Sequence, residues 1–167
     1  MSDMAGGSLE DGSHLSVEDK ARQRWLAVLA KASLAELEAA RDALPEMPRF
    51  RVLRSGESGL VMVRGRIGGT GQAFNLGEMT MTRAAVQLLD DSGGVIHTGF
   101  GHVAGRSPQR AELVALLDAL LQDRRWHQRI DACVIAPLAA AQEAAKSAQA
   151  AKVGATKVDF FTMVRGE

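Results

Sequence analysis

Between Phe50 and about Val103 the chain drops the helix-capping signals that frame it on either side, and frequent glycines separate short runs of β-branched and aromatic residues. A pattern of that kind cannot sustain a helical stripe, and it predicts an antiparallel sheet. Leu60 to Ile67 alternates, with Val61, Val63 and Ile67 on one face and Arg64 and Arg66 on the other. Thr80, Thr82, Ala84, Val86 and Leu88 likewise share a face, and Asp91-Ser92-Gly93-Gly94 supplies a turn into a strand around Val95 to Phe100.

The flanks read as helices. Ser16 with Asp19 is an N-cap signal, after which Trp25, Val28, Leu29 and Ala32 recur at helical spacing. Ser33 with Glu36 makes a second capping box, so the first helix breaks there and a new one runs to about Leu44-Pro45. Ser107-Pro108 starts another helix, with serine as the capping residue and proline at the first helical position; Leu113, Leu116, Leu117, Leu120 and Leu121 follow as its core stripe. Pro137 can open a further helix whose following turns, LAAAQEAAKSAQAAK, hold almost nothing larger than alanine, so that it must lean closely on another element or on a partner. The fold class expected is α+β: an antiparallel sheet from the central region packed with N-terminal and C-terminal helices.

At 167 residues the chain is one domain. Residues 1–15, rich in glycine, serine and acid, are expected to be a disordered extension, and 16–167 to form a single domain ending in an apolar tail. Twenty basic and twenty acidic residues balance, so no overall positive field draws the chain to nucleic acid or an anionic membrane. No apolar run approaches a bilayer span, and MSDMAGGSLEDGSH has neither a basic start nor an apolar stretch; a cytoplasmic protein is expected. Cys133 is the single cysteine, which excludes an internal disulfide or a CxxC site, and its simplest role is that of a buried small apolar residue.

The tail Val158-Asp159-Phe160-Phe161-Thr162-Met163-Val164-Arg165 concentrates two of the five phenylalanines at a terminus, where polar residues are the rule. Such a segment needs a surface to cover, either its own core or a partner. Val158, Phe160, Phe161, Met163, Val164 and Arg165 are the candidate partner-interface residues.

Candidates for chemistry are few. Gly68-Gly69-Thr70-Gly71 can present backbone N–H groups to a phosphate, although no Lys-Ser or Lys-Thr follows it and a hairpin connection explains the same residues. Arg64, Arg66, Arg83, Arg106 and Arg110 are planar forks suited to phosphate or phosphonate oxygens. His97 and His102 are five residues apart and fall on opposite faces of a regular strand, His127 belongs to the end of the leucine-rich helix, and no metal motif occurs. Ser55 and Ser58 flank Glu57 in a glycine-containing turn without a nucleophile elbow. Glu57, Glu78 and Glu112 have no partner carboxylate to split their pKa values, so no catalytic residue is assigned.

The tail sequence KVDFFTMVRG resembles the C-terminal signature of the PhnG family, the G subunit of the bacterial carbon-phosphorus lyase core complex. Further blocks resemble it in the same order: Arg24-Trp25-Leu26 with the following VLA, then GGTGQAFNLGEMTMTRAAVQL, Gly105-Arg106, AELVALLDALLQ and Ile135-Ala136-Pro137-Leu138, covering roughly residues 20 to 166. Gly69, Thr70, Gly71, Arg83 and Arg106 fall within these blocks and are the preferred phosphate-binding candidates. Ser107 stands where the family pattern is expected to carry aspartate, a change that keeps helix capping and removes a charge.

The resemblance implies partnership with the I, H and J subunits and with ATPase-like K and L subunits. Together with I, H and L, such a chain serves transfer of ribose 5-triphosphate from ATP to an alkylphosphonate, the phosphonate oxygen displacing adenine. The J subunit then cleaves the carbon-phosphorus bond with an iron-sulfur and radical cofactor. ATP and phosphonate are thus substrates of the complex, and no cofactor is expected on this chain alone, whose one cysteine cannot hold a cysteine-ligated cluster. A structural subunit is the leading expectation. The alternatives are a direct contribution of phosphate- or phosphonate-binding residues to the active site, and an independent ligand-binding domain with no partner.

Overall fold

The structure, a computed structural model, describes residues 16–44 and 47–156. The extension 1–15 and the tail Val158 to Arg165 lie outside the described residues. Two reciprocal capping boxes start the chain. The Ser16 hydroxyl accepts the Asp19 N–H at 3.0 Å and begins α1 (Val17–Leu29); the Ser33 hydroxyl accepts the Glu36 N–H at 3.3 Å and begins α2 (Leu34–Asp42). Each box satisfies two helix-terminal groups locally, so the break between the helices is encoded within a few residues.

The sheet is antiparallel with order β1-β2-β3: β1 (Phe50–Arg66), β2 (Ala73–Leu89) and β3 (Val95–Ala104). An Asp90-based turn joins β2 to β3, its carboxylate accepting the N–H groups of Ser92 and Gly94 at 2.9 and 2.7 Å. The shared face of β2 is as expected, with Thr82, Ala84, Val86 and Leu88 buried. Because β3 pairs only with Met81–Leu89, the segment Ala73–Thr80 has, among the described residues, β1 as its one strand partner. The β1–β2 hairpin therefore extends past the three-stranded body as a two-stranded arm of about 26 Å, at 3.3 Å per residue.

Two strand expectations need correction. Ser55 to Ser58 are not a turn; they lie inside β1, where register shifts between Val52 and Arg54 and between Arg54 and Glu57 absorb extra residues as bulges. A Cβ at Gly56 would collide with Pro108, so glycine here admits the start of the helix that packs on the strand. Ile67 does not share the inner face of Val61 and Val63. It stands 75 % exposed in a 3-10 turn at the arm's tip, because the strand has already ended.

Helix α3 (Pro108–Gln122) is the centre of the core. Leu113, Leu116, Leu117, Leu120 and Leu121 are all buried, and so are Ala111, Ala115 and Ala119 on another stripe. Full burial of each leucine contributes about 1.5–3 kcal/mol. The alanine stripe faces β3 at Gly99 and Gly101, where a Cβ would overlap the carbonyl oxygens of Ala115 and Ala111. The helix axis thus approaches the strand backbone directly, and α1, α2 and the helix that follows Asp123 cover its other sides.

Ser107 does not cap α3 through its side chain. Its N–H donates instead to the Thr82 hydroxyl at 3.1 Å, and that hydroxyl also meets the Gly105 carbonyl at 2.6 Å, so the chain before the helix is tied to β2.

The C-terminal helix begins earlier than Pro137. α4 (Arg124–Ile130) passes through a π-helical turn at Asp131–Ile135 into α5 (Ala136–Ala155). The Ala136 N–H reaches back to Asp131 across that wider turn, and a slip in the hydrogen-bond ladder accommodates a proline that has no N–H to give. Cys133 in this turn is exposed, contrary to expectation, because its neighbours Val134 and Ile135 take the inward positions. From Glu143 on, α5 is almost wholly exposed, as its alanine content foreshadows.

Candidate functional site

The sheet has one face under α3 and, among the described residues, one free of helix. Since Thr82 and Ala84 face the helix, Arg83 between them points to the free face. It pairs across the sheet with Glu57 on β1 and His102 on β3. Glu57 bridges two guanidinium groups, Arg83 at 3.5 Å and Arg54 at 3.6 Å, in pairs about half exposed. An open cleft of about 330 Å³ beside them is lined by Ser58, Gly59, Met81, Arg83 and His102 among others. A second, of about 520 Å³, lies toward Arg54, Ala85 and Phe100 and shares Arg83 and His102. Two arginines over one carboxylate leave this patch able to attract an anion in fork geometry.

The other candidates lie elsewhere. Arg106 lines a shallow cleft with Ser58, Leu60 and Thr80. Thr80 shares the helix-side face of Thr82, so Arg106 and Arg83 flank opposite faces of the sheet. Gly69, Thr70 and Gly71 sit at the tip of the arm, past the Arg66–Ala73 pair. Ten residues of β2 separate Ala73 from Arg83, about 33 Å of strand. In the tip, Gly68 and Gly69 take positive φ of 61° and 79°, a backbone that glycine permits. The N–H groups of Thr70 and Gly71 both turn back to the Ile67 carbonyl, and Arg66 donates to the Gly71 carbonyl at 3.1 Å. The loop is closed by its own hydrogen bonds as a hairpin connection. The five phosphate-binding candidates thus occupy three separate places.

Arg110 donates to the Ala30 carbonyl at 2.9 Å, tying α3 to the end of α1. Arg64 is an exposed residue of the arm. His127 stacks edge-on against Trp25 and places Nδ1 2.7 Å from the Leu121 carbonyl at the end of α3. Among the described residues, no group of three or more His, Cys, Asp or Glu side chains is gathered so as to hold a metal ion. No helix of the structure is long and apolar enough to cross a membrane.

The ionic group that sequence reasoning missed is Asp118. Its side chain is fully buried, and it accepts Arg22 Nη2 at 2.6 Å, the Trp25 indole N–H at 2.9 Å and the Phe100 N–H at 2.9 Å. The Arg22 guanidinium also lies over the Phe100 ring, 5.8 Å from its centroid. A lone aspartate within the leucine stripe was the available signal, since a buried charge needs partners. Arg125 donates a hydrogen bond to Asp123 and holds its carboxyl below the usual carboxylate range, while the same pairing raises Arg125.

Fold and site define an α+β protein with a projecting hairpin arm and an arginine-bearing open sheet face. The chain belongs to the PhnG family of phosphonate metabolism proteins, whose model matches residues 20–166. It is 44% identical, over 146 residues, to alpha-D-ribose 1-methylphosphonate 5-triphosphate synthase subunit PhnG of Rhizobium meliloti (strain 1021), a match covering 87% of this chain and 90% of that one.

Proposed function

We propose that the chain is a structural subunit of an alpha-D-ribose 1-methylphosphonate 5-triphosphate synthase within a cytoplasmic carbon-phosphorus lyase complex. In this role it works with I, H and L subunits in transferring ribose 5-triphosphate from ATP to an alkylphosphonate with release of adenine, and it also meets J and K subunits. It holds no cofactor of its own. The observation that carries the proposal is the near end-to-end similarity to a relative named as a subunit of that synthase. The arm adds support: a two-stranded hairpin with Leu60, Met62, Phe74 and Leu76 exposed is a marginal structure in water until something covers it.

The test is co-expression with the I subunit, followed by size-exclusion chromatography with mass determination, for the full chain and for one truncated before Val158. A stable complex of the full chain is expected, with loss on truncation if the tail is an anchor. A monomer that ignores the I subunit would overturn the assembly role.

A second reading, in which the chain contributes phosphate- or phosphonate-binding residues directly, is favoured by the Arg54, Arg83 and His102 cluster on the open face. It requires that loss of the Arg83 guanidinium impair turnover while the complex stays assembled.

A further inference from the structure

The two borders of the sheet are treated unequally. In the middle of β3 two outward peptide groups are taken by side chains from α3: the Phe100 N–H donates to Asp118 at 2.9 Å, and the Thr98 carbonyl accepts Gln122 Nε2 at 3.0 Å. No added strand can pair there without displacing a buried carboxylate. On β1 the bulge is likewise closed, the Gly56 N–H donating to Glu112 at 2.9 Å. Beyond it, from Gly59 to Arg66, β1 has β2 on one side and, among the described residues, no strand on the other. An edge of this length carries a row of unpaired donors and acceptors, which is the template for strand addition.

From this asymmetry we propose that the outer edge of β1, from Gly59 to Arg66, receives an extended strand from a different polypeptide. That strand would carry apolar side chains against Leu60 and Met62 and carboxylates against Arg64 and Arg66. The inference rests on the assembly role proposed above and assigns it a surface. Leu60, Met62, Arg64 and Arg66 alternate along the more exposed face of the strand, so one end of the docking face is apolar and the other cationic. Charge decides between a foreign strand and a second copy. β1 as a whole holds four arginines and one glutamate, a net of +3, although the full chain is neutral. Pairing Gly59 to Arg66 with the same segment of another copy about a two-fold axis would bring together two segments that each carry two arginines and no carboxylate, a net repulsion, whereas an acidic strand would be attracted.

The test is hydrogen–deuterium exchange on the full chain, alone and within the synthase reconstituted with its I, H and L subunits, reading peptides that cover Gly59 to Arg66. The expected result is a monomer whose arm exchanges rapidly alone and at least about tenfold more slowly in the complex. The double variant Arg64→Glu, Arg66→Glu is expected to weaken assembly by about tenfold or more, an effect that shrinks at high salt. A complex that forms with unchanged exchange over Gly59 to Arg66 would overturn this inference and leave the assembly role standing. Protection of the same peptides in a dimer of the chain alone would overturn it in favour of a second copy. Absence of any complex would remove both.

Discussion

The indole N–H of Trp25 donates to the carboxylate of Asp118 at 2.9 Å, joining α1 to α3 through a charge with no exposure to solvent. Arg22 completes the pair from one turn earlier on α1. Removing the carboxylate by Asp118→Ala leaves a cation and two N–H groups without their acceptor. Breaking such a buried pair costs about 3–5 kcal/mol, which corresponds to a fall of roughly 10 °C in Tm for a chain of this size. Calorimetry on Asp118→Ala and Asp118→Asn should show the larger loss for alanine; a change below about 1 kcal/mol in both would mean that the network is dispensable.

Gly101 is expected to be among the least replaceable residues. In Gly101→Ala the new methyl meets the Ala111 carbonyl, and backbone must move to admit it. Denaturant titration should show a loss of about 3 kcal/mol or more, or no soluble protein. Gly59→Ala, where a Cβ has nothing within 4 Å, should stay within about 0.5 kcal/mol and serves as the control.

Acid should unfold the chain through identifiable carboxylates. Hydrogen bonds lower Asp123 through Arg125, Asp90 through the Ser92 hydroxyl and then the Gly94 N–H, and Glu36 through the Ser33 N–H and hydroxyl. Each group binds its proton more weakly folded than unfolded, so its stabilisation is complete above the unfolded pKa, near 4, and vanishes as pH falls through the lowered value. Melting temperature should hold steady from about pH 8 to 6 and drop below about pH 4. Asp123→Asn should start from a lower Tm and lose less on acidification; an identical slope would show that the pair is not a source of the acid sensitivity.

Arg83 separates the two readings of the open face. Its pair with Glu57 is 3.5 Å long and more than half exposed on both sides, so Arg83→Ala should alter stability by less than about 0.5 kcal/mol. If the chain is structural, the reconstituted synthase assembles and turns over normally with this variant. Lost turnover in an intact complex would transfer support to direct phosphate or phosphonate binding.

What the sequence disclosed is what neighbouring residues decide. Ser16 with Asp19 and Ser33 with Glu36 close their boxes over three residues, and Asp90 to Gly94 closes its turn over four, so the first two helix starts and the second hairpin were legible. Where the outcome depends on a remote element, the signal fails. The Ser107 N–H is taken by Thr82, 25 positions back; Cys133 is exposed because Val134 and Ile135 face the core; and Arg22 and Trp25, whose side chains hold Asp118, lie more than 90 positions upstream. The candidate site was legible in its residue types but not in its grouping. Pairing register places Glu57 and His102 beside Arg83 and sends Gly69 to Gly71 to the far end of the arm, and register between strands is not written in either strand alone.

The capping of β3 by Asp118 and Gln122 also limits how this sheet can grow. A head-to-tail fibre needs every molecule to offer two complementary borders, one to give and one to receive. With the β3 border blocked at Thr98 and Phe100, a molecule joined at its β1 edge offers no continuous second border to the next, which disfavours a filament while the arm stays open to a partner.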